Sequence, residues 1–548
     1  MKSRTLVFLS SLFLFLTFGC KKSSSFVAAK VDSAETSKLS IHATSTFIHP
    51  GMLHTQADFI RMQTMVNAGT EPWLSGYKVL AANGYASLGY KMIGPSDTLT
   101  RTNTGGNYPH LMRDAAAAYQ GALMWKISGN AAYANNAVHI LNAWASKCKA
   151  ISGDSNADLA SGLYGYQLAN AAEILRDYSG WAPADFENFK TFMLNVFYPV
   201  ANDFLVRHNG TCDTHYWANW DLSNMATILS IGILCDDEAK FNQAITYFKS
   251  GIGNGNIDRA VSFIHPGNLG QNQEAGRDQG HATLDISLIG AFCQMAFNQG
   301  QDLFAYENNK VLALAEYTAS YNLGNTVPYH TYNNCNNVNQ TIISTNARGT
   351  KRPSWELIYN HYTNLMGVTA TFSSQFAAMV RPEGGGGNYG SDSGGFDQLG
   401  FGTLTYSVGT QPIANGTYRL INRASGKYLD NLGATTNGAN IGQETSSSGN
   451  NQKWTLAYGG GYYKLTCATG GKCLDSDGHT TDGSTVTQWT SGGSTNQQWT
   501  IIPVGSYYKI VNRTNGKCLD SGTGTADGVI MQFQPSSSSN SQQWTIAP

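Results

Sequence analysis

The 548-residue sequence carries little charge of either sign, and the two signs nearly cancel. Lysine and arginine total 35 against 36 aspartate and glutamate residues, so no overall field attracts nucleic acid. Beyond the N-terminus there is no apolar run long enough to span a bilayer. The cysteines lack zinc-like spacing, and the Asp, Asn and His clusters lack calcium-loop spacing. The sequence therefore predicts no metal site, no cofactor and no nucleic-acid partner.

The N-terminus has the pattern of an export signal. A short basic start precedes an apolar run, residues 6–18, that ends in Gly19-Cys20. A small residue directly before such a cysteine resembles the lipobox of bacterial lipoproteins. We therefore expect a signal peptide over residues 1–20, lipidation at Cys20 and a flexible tether over residues 21–46. The chain is then exported, either anchored by its lipid to the periplasmic or outer-membrane face of a bacterial cell or secreted.

Eight cysteines remain after the lipidation site, and an oxidising compartment permits disulfides among them. Cys467 and Cys473 could close a small loop. A single sequence does not reveal which cysteines pair, so the connectivity stays open.

The rest of the sequence divides into two regions that differ in composition and in the spacing of apolar residues. Residues 47–407 contain long segments with apolar residues at helical spacing, such as 111–127 and 159–178. Consecutive amphipathic helices with short links predict helical hairpins around a common core, either as a toroid or as a solenoid. After a glycine-rich stretch, residues 412–548 show short alternating runs of Thr, Ser, Gly, Asn and Tyr, which indicate an all-β domain.

A period of 45 residues organises the second region. The motif Gly-Lys-x-Leu-Asp begins at Gly426, Gly471 and Gly516. A Gln-x-Trp motif with the same period ends at Trp454, Trp499 and Trp544. Three copies of four short strands cannot each bury an apolar face alone, so they must pack around a shared axis. The sequence predicts a threefold β-trefoil in which the Gln-x-Trp residues are structural.

These paired motifs resemble the ricin-type β-trefoil lectins over residues 412–548. The resemblance implies that the Asp of each Leu-Asp motif accepts hydrogen bonds from sugar hydroxyls, while a later aromatic ring stacks on the sugar. The candidate polar anchors are Asp430, Asp475 and Asp520. Trp489 and Phe533 stand at the ring position in the second and third repeats, whereas Glu444 stands there in the first. The first site is therefore expected to be weaker.

Three clusters of polar and aromatic residues stand out in the helical region, at 215–221, 273–281 and 348–362. Two of them carry family motifs: Tyr-Trp-Ala-x-Trp from Tyr216 and Glu-x-Gly-Arg-Asp-Gln-Gly-His from Glu274. These stretches resemble the alginate lyase superfamily of helical-toroid polysaccharide lyases, over most of the helical region. The resemblance implies an α/α toroid or incomplete barrel that cleaves a uronic-acid polymer, such as alginate or polymannuronate, by β-elimination.

The sequence departs from the best-known alginate lyases at two positions. Those enzymes place an Asn-His pair just before the Tyr-Trp, but here Asp213-Thr214 precede His215. They also place a Tyr further along the Arg helix, where this chain has Leu284. The phenol that removes or returns the proton must then come from another segment.

The chemistry of β-elimination explains why amide, imidazole, guanidinium and phenol side chains are expected at the site. Removing the proton beside a uronate carboxylate builds up negative charge, and each preorganised donor that stabilises it lowers the barrier by roughly 3–4 kcal/mol. The expected catalytic residues are Asn219, His281, Arg352 and Tyr359, the last as base and acid. The alternative phenols are Tyr362, Tyr332 and Tyr329. The expected substrate-binding residues are His215, Tyr216, Trp217, Arg277, Gln279 and Arg348.

Two other functions stay open at this point. A glycoside hydrolase on a similar barrel needs two carboxylates about 5–10 Å apart, for which Glu274, Asp278 and Glu356 are available. A non-catalytic polysaccharide-binding lipoprotein is favoured only if Asn219 and His281 are both buried in separate cores. We expect a monomer whose partners are an acidic polysaccharide and sugar ligands at the trefoil.

Overall fold

A computed structural model describes residues 47–388, 393–409, 412–522, 524, 526–536 and 539–548. The expected signal peptide, its lipidation site Cys20 and the tether lie outside these residues. Residues 44–548 form one compact unit, in which helices come first and strands follow. This order confirms the predicted division into a helical part and a β part.

The described helices are mostly long, and two of the breaks between them are π-helical turns, at Met193–Phe197 and Asn360–Leu365. The helices are α1 Gln56–Asn67, α2 Trp73–Ala82, α3 Tyr108–Ser128, α4 Ala131–Lys147, α5 Asn156–Leu175, α6 Pro183–Phe192, α7 Tyr198–Arg207, α8 Ala218–Leu234, α9 Glu238–Ser250, α10 Ile257–Ala260, α11 Gln279–Asn298, α12 Tyr306–Asn322, α13 Trp355–Tyr359, α14 Thr371–Val380, α15 Ser393–Phe396 and α16 Gly402–Thr405. None of them combines the length and apolar character needed to cross a membrane.

The long helices form two layers. Nearly every residue of α5, α8 and α11 is buried, which is typical of helices surrounded by protein on all sides. By contrast, α4 and α9 bury a single face. α5 packs against α3 and α8, and α8 packs against α11, while α4 and α9 lie against the outside of this series. The arrangement is that of an incomplete α/α toroid.

Small residues let the inner helices approach closely. Gly162 and Gly165 of α5 face Ser223 and Thr227 of α8. A Cβ added at Gly162 would lie 2.3 Å from the Ser223 Oγ, and one at Gly165 would lie 2.6 Å from Thr227. Larger residues would push the helices apart, because a packed core has no spare volume at such contacts.

The strands fall into three small sheets in the helical part and one large sheet in the β part. Parallel β1 Thr98–Arg101 and β2 Ala150–Gly153 form the first small sheet, and the hairpins β3 Val261–His265 with β4 Leu269–Asn272 and β5 Tyr332–Asn333 with β6 Asn339–Gln340 form the others. The large sheet contains β7 Gly416–Asn422, β8 Tyr428–Asp430, β9 Ala439–Asn440, β10 Gly442–Glu444, β11 Trp454–Gly459, β12 Tyr462–Cys467, β13 Cys473–Asp475, β14 Ser484–Thr485, β15 Thr487–Trp489, β16 Trp499–Val504, β17 Tyr507–Asn512, β18 Cys518–Asp520, β19 Gly528–Val529, β20 Met531–Phe533 and β21 Trp544–Ala547.

The large sheet closes into the predicted trefoil. β11 pairs with β12, β16 with β17, and β21 returns to β7, so the strands that flank the three repeats form a continuous ring. Each Gln-x-Trp indole is fully buried and donates to a Leu carbonyl of its own repeat at 3.0–3.1 Å: Trp454 to Leu429, Trp499 to Leu474 and Trp544 to Leu519. Their structural role is confirmed.

The trefoil packs directly against the helical part. The Arg513 guanidinium contacts two aromatic rings, 5.2 Å from the Phe297 centroid and 4.3 Å from the Tyr462 centroid, and it donates to the Phe297 carbonyl. Ala57 and Ile60 of α1 join an apolar cluster with trefoil residues. Removing the trefoil would therefore expose apolar surface, so point substitutions test its role more cleanly than truncation does.

A long-range disulfide joins Cys212 to Cys335, 123 residues apart, while Cys467 and Cys473 are both free and buried. The bridge ties the segment before α8 to the β5–β6 hairpin. The backbone N–H of Cys335 also donates to the Thr214 Oγ1 at 2.9 Å. The hairpin is thereby held against the segment that contains the Tyr-Trp motif.

We expect the double variant Cys212→Ser/Cys335→Ser to be less stable by about 2–4 kcal/mol, because the bridge restricts a long loop of the unfolded chain. Denaturant unfolding monitored by tryptophan fluorescence measures the change. Reductant should lower the stability of the wild type to a similar degree and leave the double variant unaffected. A wild type insensitive to reductant would show that the bridge does not form.

His49 fastens the start of the described chain to the helices. Its Nδ1 lies 2.6 Å from Glu173 Oε1 and its Nε2 lies 2.9 Å from Asp236 Oδ1. Burial on its own lowers the pKa of His49, but the two carboxylates outweigh burial and raise that pKa to about 9. The imidazolium is therefore the stable form at neutral pH.

A His49→Gln variant should lose about 3 kcal/mol of stability at pH 6. Because the folded-state pKa is raised above the unfolded value, this stabilisation is complete below about pH 6.5 and disappears as the pH rises through about 9. Unfolding curves of both proteins at pH 6, 7.5 and 9.5 should converge at the highest pH. His139→Gln, at an exposed histidine of α4, is the control. Equal stability of wild type and His49→Gln at pH 6 would show that the contacts of His49 with Glu173 and Asp236 do not stabilise the fold.

Candidate functional site

The Asp278–His281 pair lies at the start of α11. Asp278 is the N-cap of this helix, because its Oδ1 accepts the His281 backbone N–H at 2.8 Å. The other carboxylate oxygen lies 2.7 Å from the His281 Nδ1. One aspartate thus begins the helix and orients the imidazole, whose side chain is 38% exposed. Nε2 is left as the ring nitrogen that can meet a ligand.

The carboxylate of Glu274 links this turn to the start of α8. Its Oε1 accepts both the backbone N–H of Asn219, at 3.0 Å, and the Asn219 side-chain amide, at 2.5 Å. Its Oε2 accepts from the Arg277 guanidinium at 2.7 Å. Asn219 and Glu274 are both buried, so the Asn219 amide is committed to Glu274 and does not face solvent.

The two groups form one continuous series. The Nε of Arg277 lies 3.7 Å from the Asp278 Oδ2, which in turn contacts His281. The series runs Asn219, Glu274, Arg277, Asp278, His281. The structure therefore brings Asn219 and His281 to the two ends of one hydrogen-bonded and ionic network, and they do not lie in separate cores.

A buried aspartate lies beside this network. Asp285, one turn after His281 on α11, is 1% exposed. Burial and the negative charge of Glu274 raise the pKa of Asp285 well above its usual value. The raised pKa favours the protonated form of Asp285 beside the Glu274–Arg277 ion pair.

Aromatic side chains cover the other side of Arg277. The guanidinium lies 5.1 Å from the Trp217 ring, within cation–π range, and Trp217 lies 6.4 Å from the Tyr332 ring. Tyr216 packs 4.8 Å from His215 and accepts a hydrogen bond from Asn209 at 3.0 Å. The Tyr-Trp motif thus lies beside the arginine of the second motif.

A second cationic group meets this network at His281. Arg352 donates to the Gly280 carbonyl at 3.0 Å and to Gln398 at 2.7 Å, and it lies 3.4 Å from Asp397. Burial raises the pKa of Asp397, and the charges of Arg352, Arg101 and His281 partly offset that rise. Asp397 is buried, so it serves to hold cations near His281.

Arg101, at the end of β1, is a site residue that sequence reasoning missed. Its guanidinium lies 3.4 Å from the Tyr164 hydroxyl and 4.7 Å from the Tyr108 ring centroid. Within the described ranges no carboxylate lies at ion-pair distance from it, and it is only partly buried. The sequence around it carries no motif that singles it out.

The candidate phenols lie away from His281. Tyr359 packs 5.9 Å from Arg381, a guanidinium already bound to Glu356. Tyr362 is buried and donates to the Phe304 carbonyl at 2.8 Å. Tyr329 donates to the Gln340 carbonyl, and Tyr332 stacks against Trp217. In the part of the chain that the structure describes, no hydrogen bond or ring contact joins any of the four to His281.

Two expected substrate-binding residues make internal bonds. Gln279 is 1% exposed, donates to the carbonyls of Ala275 and Ser344 and accepts from Asn322. Arg348 donates to the carbonyls of Tyr321 and Asn325. Both therefore hold the loop before α13 in place. Across the described ranges there is also no cluster of three or more His, Cys, Asp or Glu that could hold a metal ion.

The three trefoil aspartates share one environment. Asp430, Asp475 and Asp520 are 1–4% exposed, and each accepts a backbone N–H from two residues further on. Asp430 additionally accepts from Asn451 and from Gln452 of its Gln-x-Trp motif, which together occupy both oxygens. A carboxylate offers about four acceptor positions, so Asp430 has no spare one for a sugar hydroxyl.

The ring positions differ between repeats. Trp489 and Phe533 are both partly exposed, and each lies beside a loop glycine of the preceding repeat. A Cβ at Gly438 would meet Trp489 at 3.6 Å, and one at Gly483 would meet Phe533 at 3.5 Å. Each ring therefore lies close to a loop glycine and keeps part of its surface exposed. The first repeat, with Glu444, offers no such face.

Comparisons with known proteins agree with this division. The family model for alginate lyase matches residues 90–327, and that for the ricin-type β-trefoil lectin domain-like family matches 405–489, 450–533 and 495–548. No curated protein matches the chain.

Among solved structures, the designed threefold-symmetric protein ThreeFoil is 41% identical over 24% of this chain and 99% of its own, with a TM-score of 0.24. An exo-β-1,3-galactanase from Clostridium thermocellum is 36% identical over 26% of this chain and 32% of its own, with a TM-score of 0.23. This chain thus spans about a third of that enzyme. The chain carries an alginate lyase domain at residues 90–327 followed by a ricin-type β-trefoil lectin-like domain at residues 405–548.

Proposed function

We propose that the protein is a polysaccharide lyase that cleaves a polyuronate, such as alginate or polymannuronate, by β-elimination. The alginate lyase domain and the lectin-like domain support a polysaccharide lyase with a binding module. The observation that carries the proposal is the exposed His281 imidazole, oriented by Asp278 and flanked by arginines. The trefoil attaches the enzyme to polysaccharide.

In this mechanism the substrate carboxylate is neutralised first. Arg101 has no ion-pair partner in the described ranges, and Arg277 is 26% exposed beside His281. Both can approach a uronate at the imidazole, and charge-assisted hydrogen bonds to a carboxylate are among the stronger ones. Neutralising the carboxylate lets the adjacent C–H bond ionise.

Proton transfer then falls to His281. When the ring is neutral, its Nδ1–H is donated to Asp278 and the lone pair is on Nε2. Nε2 removes the ring proton beside the carboxyl group, a C=C bond forms, and the C–O bond to the next sugar breaks. The same imidazolium returns the proton to the leaving oxygen. Asn219 and Arg352 position this network and do not touch the substrate in this proposal.

The hydrolase alternative finds less support in the geometry. Glu274 and Glu356 are both fully buried and are bound by Arg277 and Arg381 respectively. Asp278 uses one oxygen for a backbone N–H and the other for His281. Glu274 and Glu356 therefore have no exposed oxygen, and Asp278, 15% exposed, is left without the second accessible carboxylate that a glycosidase needs.

We also propose that the trefoil binds sugar through its second and third repeats. Trp489 and Phe533 are partly exposed aromatic rings, whereas the first repeat has Glu444 and an Asp430 whose acceptor positions are all occupied. The export signal in the sequence supports a protein lipidated at Cys20 and placed outside the cytoplasm, where such polymers occur.

We expect incubation with polyuronate to produce absorbance in the ultraviolet, because elimination leaves a double bond conjugated to the carboxyl group. His281→Ala should reduce the initial rate by about 10²- to 10⁴-fold, the usual contribution of a positioned acid or base. The rate of absorbance increase on a panel of polyuronates measures both effects.

His139→Ala, at an exposed histidine of α4, is the matched control and should keep the wild-type rate. Circular dichroism establishes that both variants are folded. Reducing ends that appear without absorbance would favour a hydrolase, and a near-normal rate in His281→Ala would remove the imidazole from the mechanism.

For the trefoil, Trp489→Ala and Phe533→Ala together should weaken retention on insoluble polysaccharide, since stacking on an aromatic ring is lost. Glu444→Ala should have no such effect. Pull-down of each full-length variant with insoluble polyuronate measures the retained fraction, and activity on short soluble chains should be unchanged in both. Equal retention of all variants would contradict binding through these rings.

A further inference from the structure

A polar cavity of about 380 Å³ adjoins the catalytic network. It lies between the loop before α10, the β3–β4 hairpin and the β5–β6 hairpin, and its lining includes Thr214, Asn254, Arg259, Gln271, His330 and Tyr332. The volume falls within the range of about 300–1,000 Å³ that is typical of small-ligand pockets. None of these residues has a role in the mechanism above.

Arg259 gives the cavity a positive charge. Its guanidinium donates to the backbone carbonyl of Ile252, and no carboxylate lies at ion-pair distance from it among the residues described. Asp258 also lines the cavity, but its carboxylate pairs with the Lys310 ammonium and not with Arg259. A partly buried guanidinium without a carboxylate partner is suited to bind an anionic ligand.

The cavity walls are held rigidly. The Asn254 amide donates to the carbonyls of Thr214 and Tyr216 at 3.1 and 2.7 Å. Gln271 accepts the His330 backbone N–H at 2.7 Å and donates to the His330 carbonyl at 2.8 Å. These two amides thereby fix three segments of chain around Arg259, so the cavity is formed before a ligand arrives.

Polar groups are buried at and beside the cavity wall. The Tyr332 hydroxyl is buried next to the side chains of Gln273 and Asn254. At the rim, the His330 ring stacks on Phe263 with centroids 4.3 Å apart, and Phe263 is 38% exposed. Flat rings beside polar groups are the combination that sugar rings meet in binding sites.

The cavity is linked to the network at His281 through Tyr332 and Trp217. Tyr332 lines the cavity, its ring lies tilted 6.4 Å from the Trp217 ring, and the Arg277 guanidinium lies 5.1 Å from the same Trp217 ring. A polymer whose reacting unit lies at His281 can therefore pass over Trp217 and place a neighbouring unit beside Arg259. We propose that this cavity is a second uronate subsite, in which Arg259 binds the carboxylate of a neighbouring sugar unit of the same chain; this rests on the proposed function.

Binding of an oligouronate of six units to the full chain, measured by titration calorimetry, tests the subsite. Arg259→Gln should raise the Kd by about 10- to 100-fold, the loss expected when a charge-assisted hydrogen bond is removed. Arg259→Lys should restore part of the affinity. In turnover assays KM should rise while kcat stays close to the wild-type value, because Arg259 does not contact the reacting unit.

The controls separate the cavity from other sources of affinity. Arg207→Gln removes an exposed arginine that pairs with Asp203, and its Kd should equal that of the wild type. A carboxyl-reduced oligosaccharide should bind the wild type and Arg259→Gln equally. The trefoil is identical in every variant, so a difference between them belongs to the helical domain.

These measurements test the existence of the subsite separately from the lyase activity. An unchanged Kd in Arg259→Gln, a change in kcat alone, or no binding of the oligouronate to the wild type would overturn the proposal. A wild type that forms no double bond, yet loses affinity in Arg259→Gln, would refute elimination and leave the uronate subsite supported.

Discussion

The buried carboxylate of Glu274 is the constraint on which the candidate site depends. A charge removed from water is costly unless hydrogen-bond donors and an opposite charge replace the solvent. Here Asn219 and Arg277 replace it, and burial together with the charge of Glu274 raises the pKa of the neighbouring Asp285, which disfavours a second negative charge there. Satisfying one carboxylate therefore joins the start of α8 to the turn before α11.

The position of the imidazole follows from the same turn. Since Arg277 is fixed by Glu274, Asp278 next to it is placed where it can cap α11, and the cap binds the His281 ring as well as its backbone. The site thus has a rigid interior and a single exposed heterocycle. Such preorganisation is what electrostatic catalysis requires, because the groups need not reorient during the reaction.

How far the sequence predicted these features depends on the range of the contacts. The trefoil was predictable because a 45-residue period repeats the same local environment three times, and the Glu274–His281 motif was predictable because its contacts lie three residues apart. Arg101 and Asp397 join the site from distant segments and left no local pattern. The disulfide between Cys212 and Cys335 spans 123 residues and was equally hidden.

The expectation for Tyr359 shows why spacing alone is a weak guide. A Tyr seven residues after Arg352 would share its face on a continuous helix. In the structure α13 begins only at Trp355, after Arg352, and Tyr359 lies beside Arg381. The role of Tyr359 stays a prediction, and the geometry directs attention to His281.

The contacts of Arg513 with Phe297 and Tyr462 have a consequence for how a polysaccharide would reach the helical domain. Lectin modules on flexible linkers let a catalytic domain search a volume set by linker length. Here Phe297 of the toroid and Tyr462 of the trefoil both contact one guanidinium, so the two parts are joined by side-chain contacts and not by the connecting segment alone. Under the proposed function, these contacts set the direction from which a polysaccharide strand held by the trefoil reaches the helical domain.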